Sequence, residues 1–277
     1  MVSCEVLAFF FPSEKEYLVN LAMQHEESRI LIGANVMSEI TAGDSLGKYI
    51  SAKAIDRAKT DGTSTAGKED TVLYPHRTNL WKSIEIPISG ASERPGMLPT
   101  WGKLKTWAVP NVANERPLPP PALDSKEFID ALAEVKSISD NRTREQWRIA
   151  DYWADGGGTF TPPGKWNFIA ESLIRKNNFN ELRCARTLAL MNMAIMDAGI
   201  CCWDVKYYFY IPRPSQMDPS IKTATGIPNF PSYTSGHATF SGAGSTVLEY
   251  IFPNDATSLK LQAEEASRAK ETFLANM

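Results

Sequence analysis

Apolar residues recur at helical spacing along most of this chain, and no convincing stretch alternates between apolar and polar residues as a half-buried strand would. The spacing predicts helices over residues 13–28, 45–59, 166–176, 180–206 and 235–250, with further helices beginning near Asp124, at Thr143 and near Asp255. Two of the starts have a capping box, Ser13 with Glu16 and Thr143 with Gln146. The predicted fold class is therefore all-α.

The predicted helix over residues 180–206 is apolar most of the way round, unlike its neighbours, which have one apolar face. A helix without a polar face is normally buried on all sides. We therefore expect this helix at the centre of a helical bundle.

A proline-rich segment interrupts the helical pattern. Nine of the 18 prolines in the chain fall between residues 75 and 121, and a segment this rich in proline cannot be a regular helix. Its tryptophans, Trp81, Trp101 and Trp107, argue against a free linker, because such large apolar side chains favour burial. We predict an irregular Pro/Trp-rich segment packed over a helical body. The chain is thereby divided into residues 1–62, 63–123 and 124–277.

The two ends of the chain resemble each other when residues 241 positions apart are compared. The identical pairs are Val6/Val247, Leu7/Leu248, Phe11/Phe252, Pro12/Pro253, Leu18/Leu259, Ala22/Ala263, Ala34/Ala275 and Asn35/Asn276. Two helix–Pro–helix units can look alike by chance, and the alternative is that one chain contains two related helical halves. Both explanations stay open at the level of sequence.

The counts of charged residues and histidines exclude several functional classes. With 29 Lys+Arg against 32 Asp+Glu, the formal net charge is −3, which is unlike a broadly basic nucleic-acid-binding protein. The three histidines, His25, His76 and His237, show no HExxH-like spacing, so we predict no zinc site, and we predict no nucleotide cofactor either. We expect His25 to be a partly buried packing residue and His76 to be a hydrogen-bonding loop residue.

No apolar run reaches the roughly 18–20 residues that a membrane-spanning helix needs. The apolar stretch at residues 2–11 is short and lacks both the cationic region and the cleavage site of a signal peptide. We therefore predict a soluble protein without a membrane span or a signal peptide. The four cysteines form no CxxC pair, so we expect thiols buried in the core.

Two segments beyond the centre of the chain combine the groups that bind an oxyanion. Lys206 and Arg213 bring positive charge, and the planar fork of the arginine matches a tetrahedral oxyanion. Ser235 and Gly236 open the next predicted helix, where free backbone N–H groups and the helix dipole favour an anion. His237 lies in the first turn of that helix, placed to exchange a proton with a bound group. Together they predict a pocket for phosphate or vanadate.

The pattern Lys-x6-Arg-Pro at residues 206–214, followed by Pro-Ser-Tyr-Thr-Ser-Gly-His at residues 231–237, resembles the first two signatures of a known superfamily. This superfamily unites the vanadium-dependent haloperoxidases with the type 2 phosphatidic-acid phosphatases. Residues 147–166, which contain Ala-Asp-Gly and Thr-Pro-Pro-Gly, and residues 197–204 resemble its soluble, chloroperoxidase-like bacterial branch. The resemblance covers most of residues 70–254.

The resemblance implies two helical bundles and an oxyanion held by Lys206, Arg213, Ser235 and the backbone of Gly236, with His237 as the acid–base group. In the haloperoxidases the oxyanion is vanadate, a Lewis acid that activates peroxide for the oxidation of halide. In the phosphatases a phosphoester places its phosphoryl group in the same pocket. Both kinds of substrate are small molecules, and an exposed bundle face would suit a homodimer.

The third signature of the superfamily, Ser-Arg-x5-His-x3-Asp, contains the histidine that ligates vanadate or attacks phosphorus. No histidine follows His237 in this sequence. The 241-residue offset places Lys270 and Asn276 at the arginine and histidine positions of that signature. We therefore expect the chain to stop just short of the third signature, and we assign no vanadate-ligating histidine.

The N-terminal unit contains a partial match to the same signature. Ser28 and Arg29 are followed by Asn35 and Glu39 at the expected spacing, with asparagine where the signature has histidine. Asparagine is no effective substitute for an imidazole as a nucleophile or as a ligand. We therefore interpret residues 1–62 as a degenerate partner bundle.

Three functions stay open at the level of sequence. The first is peroxide-dependent halide oxidation with vanadate, and the second is phosphomonoester hydrolysis at the same pocket. The third is anion binding without catalysis, which the missing imidazole favours.

Overall fold

The computed structural model describes residues 1–66, 80–83 and 96–274, with side chains up to Ser267. The contacts between Cα atoms divide the chain into two units, Met1–Ser64 (unit 1) and Thr65–Met277 (unit 2). All regular elements in the described ranges are helices, so the all-α prediction is confirmed. The predicted division into three parts remains a prediction.

Unit 1 contains the helices α1 (Val2–Phe10), α2 (Lys15–Leu31) and α3 (Met37–Thr60), with a 3₁₀ turn at Pro12–Glu14. Two predicted helix starts are wrong. The 3₁₀ turn replaces the capping box expected at Ser13 and delays α2 to Lys15. Conversely, α3 begins before residue 45, because the Glu39 side chain accepts a hydrogen bond from the backbone N–H of Val36 (3.2 Å) and caps the helix there.

Unit 2 contains α7, which at 29 residues is the longest helix of the described ranges, and the Pro/Trp-rich segment. Its helices are α4 (Lys126–Asn141), α5 (Arg144–Tyr152), α6 (Thr161–Lys176), α7 (Glu181–Phe209), α8 (Pro214–Met217), α9 (Gly236–Ile251) and α10 (Ala256–Leu274). Between residues 96 and 123 the chain is irregular apart from 3₁₀ turns at Trp101–Lys103 and Val112–Glu115. This part of the segment is therefore irregular, as predicted.

Side-chain caps fix several helix starts in unit 2. Thr143 and Gln146 form the predicted capping box of α5, with reciprocal hydrogen bonds of 3.2 and 2.8 Å. The cap of α4 is Ser125 rather than the adjacent Asp124. Ser235 caps α9 as predicted, because its Oγ accepts the N–H of Ala238 at 3.3 Å.

The core of unit 2 forms where α6, α7, α9 and α10 meet. Trp166, Met191, Leu248 and Leu259 are each at most 1% exposed, and they belong to one apolar cluster. Gly244 permits this packing, because a Cβ at that position would lie 2.9 Å from the Trp166 ring. The central position predicted for the long helix is correct from Met191 to Tyr207, whereas the N-terminal turns of α7 are mostly exposed, with Leu182 at 81%.

Within the described residues, Glu181–Met217 is long and apolar enough to cross a bilayer by length and composition. A central core helix of a globular protein meets the same criteria, and α7 is such a helix. The segment is therefore weak evidence for a membrane span.

The two segments that resemble each other in sequence also have similar backbones. A 3₁₀ turn at Pro253–Asp255 joins α9 to α10, just as Pro12–Glu14 joins α1 to α2. The preceding residues have nearly the same dihedral angles, φ −126° and ψ 70° at Phe11 and φ −122° and ψ 66° at Phe252. Their N–H groups donate to carbonyls four residues earlier, at 2.8 and 2.7 Å. The two junctions therefore share one local conformation.

Candidate active site

Lys206 lies near the C-terminal end of α7, and its side chain is buried with 1% exposed. The ammonium group donates hydrogen bonds to the carbonyl oxygens of Pro231 (3.0 Å), Ser232 (2.8 Å) and Thr234. All three acceptors belong to residues 228–234, the segment that leads into α9, which we call the motif loop. The lysine charge is therefore buried against backbone dipoles immediately before α9.

Arg213 follows α7 and is also buried, with 3% exposed. Its Nε and Nη2 donate to the carbonyl oxygen of Phe230 at 3.0 and 2.7 Å, and Nη2 also contacts that of Pro228 at 3.4 Å. No carboxylate of the described residues pairs with this guanidinium. Burial lowers the pKa of Arg213 to about 10, because the charged form has lost its hydration.

The ring of Phe230 brings the two cations together. The Lys206 ammonium and the Arg213 guanidinium each lie 4.9 Å from its centroid. The centroid of the Trp203 ring lies 4.9 Å from that of Phe230, and the Phe240 ring packs on Trp203 in turn. We call these three rings the aromatic wall. Residues from α7, the α7–α8 connection and the motif loop therefore converge on one place.

The start of α9 supplies the remaining predicted groups. Ser235 is the N-cap, Gly236 is the first helical residue and His237 lies in the first turn with 8% exposed. A Cβ on Gly236 would make ordinary van der Waals contact with the rings of Phe240 (3.9 Å) and Trp203 (4.0 Å), so the aromatic rings line this helix terminus. Lys206 bonds to the carbonyl of Thr234, the residue before Ser235, which places the ammonium beside this helix terminus.

The Pro/Trp-rich segment packs against one side of the candidate site, through contacts that were not predicted. The carbonyl oxygen of Met97 accepts hydrogen bonds from Trp203 Nε1 (3.2 Å) and from the Tyr207 hydroxyl (2.8 Å). At the other end of the segment, the Tyr233 hydroxyl donates to the carbonyl of Leu118 at 2.8 Å. The four-residue spacing of Trp203 and Tyr207, which puts both on one helix face, is the sequence signal that could have indicated these contacts.

The cysteines match the expectation of core thiols. All four are free, and the Cys202 sulfur lies 3.5 Å from the Thr234 hydroxyl in the motif loop. Burial, together with the negative charge of Asp197, raises the pKa of Cys201 to about 11. This thiol therefore stays protonated at neutral pH.

The partial third signature of unit 1 forms a helix cap. Asn35 Nδ2 donates to Glu39 Oε2 at 3.0 Å, and the same oxygen accepts the N–H of Val36 at 3.2 Å. The hydrogen bond from Asn35, followed by that from Val36, lowers the pKa of Glu39. These side chains therefore stabilise the start of α3.

The remaining predictions concern His25, His76 and the residues aligned with the third signature. The expectation that His25 is partly buried is wrong, because α2 leaves it exposed. His76 and Asn276 lie outside the described residues, and the side chain of Lys270 also lies outside them. In the described part of unit 2, His237 is the only histidine.

The groups around the motif loop fit a tetrahedral oxyanion. Arg213 Nη1 has no acceptor among the described residues, because Nε and Nη2 make all its hydrogen bonds. The Ser232 hydroxyl is buried and has no hydrogen-bond partner in the same part of the chain. Two buried cations next to a helix N-terminus create a positive potential, which an anion would neutralise. The site thus offers both charge and N–H or O–H donors.

Comparison of sequences places these features among known proteins. No family model matches the chain. The chain is 34% identical over 153 residues to the vanadium chloroperoxidase of Curvularia inaequalis. The alignment covers 43% of this chain and 25% of that protein, so this chain spans about a quarter of the length of the curated relative it matches.

Comparison of structures gives a broader match. The fold superposes on the first bacterial vanadium-dependent iodoperoxidase to be crystallised, with a TM-score of 0.75 and 24% sequence identity. The superposition covers 94% of this chain and 68% of that one. At this identity the match establishes the fold. The sequence match supports the resemblance that the two motifs indicated, and the structural match supports the all-α fold.

Proposed function

We propose that this chain, which resembles the vanadium-dependent haloperoxidase superfamily in sequence and fold, is an oxyanion-binding enzyme that uses vanadate for peroxide-dependent halide oxidation. The observation that supports this most strongly is the convergence of Lys206 and Arg213 on the motif loop. Lys206 is buried beside the N-terminus of α9, and Arg213 is buried against Phe230 in the loop that precedes it. A soluble protein acting on small molecules is consistent with the relatives named above.

The positive charges of Lys206 and Arg213 would hold the anion. Their partners in the motif loop are carbonyl oxygens, which compensate a buried positive charge less completely than an anion does. The wall of Trp203, Phe230 and Phe240 excludes water, so each charge–charge contact is stronger than in solution. Binding energy therefore comes chiefly from these two pre-positioned cations.

The start of α9 would complete the site. The Ser235 hydroxyl and the Gly236 N–H would donate to the anion at the positive end of the helix dipole. A ring nitrogen of His237 would hold a proton and transfer it to or from the bound group. Vanadate, when bound, would supply the Lewis acidity that activates peroxide.

Binding of the anion is tested by calorimetric titration of vanadate into the full chain and into Lys206→Gln. We expect saturable binding that weakens about 10- to 100-fold in the variant, because a buried positive charge near the anion is lost. Lys126→Gln is the matched control, since Lys126 forms an exposed ion pair with Asp130. Equal binding by wild type and Lys206→Gln would refute the assigned pocket.

Turnover is tested by halide oxidation with peroxide after vanadate is added. We expect activity that requires vanadate and disappears in His237→Ala in a longer version that carries the third signature, and little turnover by the 277 residues alone, which contain no histidine after His237. Binding by the longer version with no oxidation of chloride, bromide or iodide would contradict the haloperoxidase assignment.

Phosphomonoester hydrolysis is the second candidate, because phosphate and vanadate share the tetrahedral shape that these donors fit. Hydrolysis of a small aryl phosphate, inhibited by vanadate and abolished in His237→Ala, would support it. Anion binding without any turnover is the third candidate, and the use of Asn35 as a cap of α3 favours it. A homodimer remains a prediction, to be checked by light scattering.

A further inference from the structure

Two carboxylates on one side of α7 bind the Pro/Trp-rich segment. Asp197 and Asp204 are seven residues apart, which is about two helical turns, so they lie on the same face. Asp197 is 5% exposed and accepts three backbone N–H groups, those of Trp107 (2.7 Å), Ala108 (2.7 Å) and Val109 (3.2 Å). This carboxylate therefore fixes the main chain of the segment to the middle of α7.

Asp204 binds the same segment closer to the candidate site. Arg116 donates to its two oxygens at 2.6 and 3.0 Å, in a bidentate ion pair. The guanidinium also lies 3.9 Å from the centroid of the Tyr208 ring, and Asp204 raises the pKa of Arg116. A Cβ on Gly102 would lie 2.5 Å from the Asp204 backbone, so the segment packs directly on this turn. The pair is only partly exposed, at 28% for Arg116 and 19% for Asp204.

The segment that Asp204 holds touches the site at both of its ends. Its Met97 carbonyl accepts from Trp203 and Tyr207, and its Met97 N–H donates to the carbonyl of Asn229 in the motif loop at 2.7 Å. Its Leu118 carbonyl accepts from Tyr233 of the same loop. The last turns of α7 and the motif loop are therefore both attached to one segment.

We propose that Arg116 and Asp204 are positioning residues for the oxyanion site, an inference that rests on the proposed function. Side chains two positions apart on a helix point about 200° from each other, so Asp204 does not reach the anion that Lys206 would bind. The ion pair acts through the backbone of α7, which it holds at a fixed distance from residues 97–118. Lys206 and the motif loop thereby keep the arrangement that an incoming anion requires.

The test is the affinity for vanadate, measured by calorimetry in the full chain, alongside thermal unfolding. We expect Asp204→Asn to weaken vanadate binding about tenfold at a temperature where the variant is folded. Asp130→Asn is the matched control, because it breaks the exposed ion pair with Lys126, and we expect it to bind as the wild type does. Arg116→Lys keeps the charge but loses the bidentate fork, and we expect an intermediate loss.

A double-mutant cycle distinguishes positioning from a general loss of stability. If Asp204 acts through Lys206, Asp204→Asn in a Lys206→Gln background lowers affinity by less than about twofold, whereas the drop in unfolding temperature persists. A lower unfolding temperature with unchanged vanadate affinity in both Asp204→Asn and Arg116→Lys would overturn the inference while leaving the proposed function intact. Absence of vanadate binding by the wild type would overturn both.

Discussion

The two helix–3₁₀–helix junctions have the same backbone and opposite surroundings. Leu248 and Phe252 in the second junction are 0% and 3% exposed, whereas Leu7 and Phe11 at the equivalent positions of the first are 42% and 56% exposed. The dihedral angles, the 3₁₀ turn and the hydrogen bond agree, so the local sequence determines the conformation. Burial depends instead on the helices α6 and α7, which pack against the second junction within unit 2.

The polar residues near the two junctions also differ in their surroundings and their contacts. In unit 2, the helix of the packed junction begins at Gly236, after the N-cap Ser235, beside the buried Lys206, and Arg213 lies against the preceding loop. In unit 1, the residues that match the third signature, Asn35 and Glu39, serve as a cap on an exposed surface. Unit 1 therefore uses its signature-like residues in a structural contact, whereas Ser235 and Gly236 of the proposed oxyanion site precede the part of unit 2 that matches unit 1.

The largest expected effect comes from shortening the equivalent leucines. Leu248→Ala should lower the free energy of unfolding of unit 2 by about 3 kcal/mol, because it leaves a cavity in the core. Leu7→Ala, at the exposed equivalent, should cost less than about 1 kcal/mol. Denaturant unfolding of the full chain measures both, and equal losses would contradict the difference in packing.

The glycines of α9 sharpen the same comparison. Gly244→Ala places a methyl group 2.9 Å from the Trp166 ring and should destabilise unit 2 by about 1–2 kcal/mol. Gly242, two residues earlier, has open space, so Gly242→Ala should stabilise α9 by about 0.5–1 kcal/mol. Melting temperatures that shift in the same direction for both variants would show that the close contact with Trp166 is absent.

The pH dependence tests the buried charge of Arg213. Its pKa is lowered to about 10, so the guanidinium is charged at neutral pH and loses its proton as the pH rises through that value. Sulfate, whose charge is constant there, should therefore bind several-fold more weakly above pH 10 than at pH 9. Because the unfolded chain retains this proton more strongly, deprotonation itself should stabilise the fold as the pH rises above about 10. Subtracting the stability-against-pH profile of Arg213→Gln from that of the wild type isolates the contribution of Arg213 to stability. Identical profiles would exclude such a contribution.

The smallest expected effect concerns the cap in unit 1. Asn35→Ala removes the hydrogen bond to Glu39 and should lower the stability of unit 1 by about 0.5 kcal/mol. Sulfate affinity should be unchanged, because the side chain acts only as a cap. A variant whose affinity falls with no change in stability would assign Asn35 to the anion site.

Features that depend on residues close together in the sequence could be predicted from the sequence. The Thr143–Gln146 capping box and the all-round apolar pattern of α7 are local, and both match the structure. The start of α3 was missed because its cap uses Asn35 and Glu39 rather than a Ser or Thr N-cap. The chemistry of the motif likewise predicted Lys206 and Arg213 as a pair, and the structure brings them to one loop.

Long-range contacts were beyond prediction from sequence. Asp197 and Asp204 bind groups about 90 residues away in the chain, and the residues near them in the sequence do not indicate which groups these are. The burial of Phe252 and the exposure of Phe11 also follow from distant helices rather than from their own segments. These contacts require the fold, because identical local patterns have different partners in the two units.

The most direct test of the oxyanion site is the calorimetric titration of phosphate into wild type, Arg213→Gln and Arg142→Gln. Arg142 is a matched control, because it also donates to a backbone carbonyl, that of Lys222 (3.2 Å), contacts an aromatic ring, that of Trp147, and has a pKa lowered by burial. We predict that Arg213→Gln weakens phosphate binding about 10- to 100-fold, whereas Arg142→Gln binds as the wild type does. Equal affinities in the wild type and both variants would contradict the assignment of the buried cations to an anion.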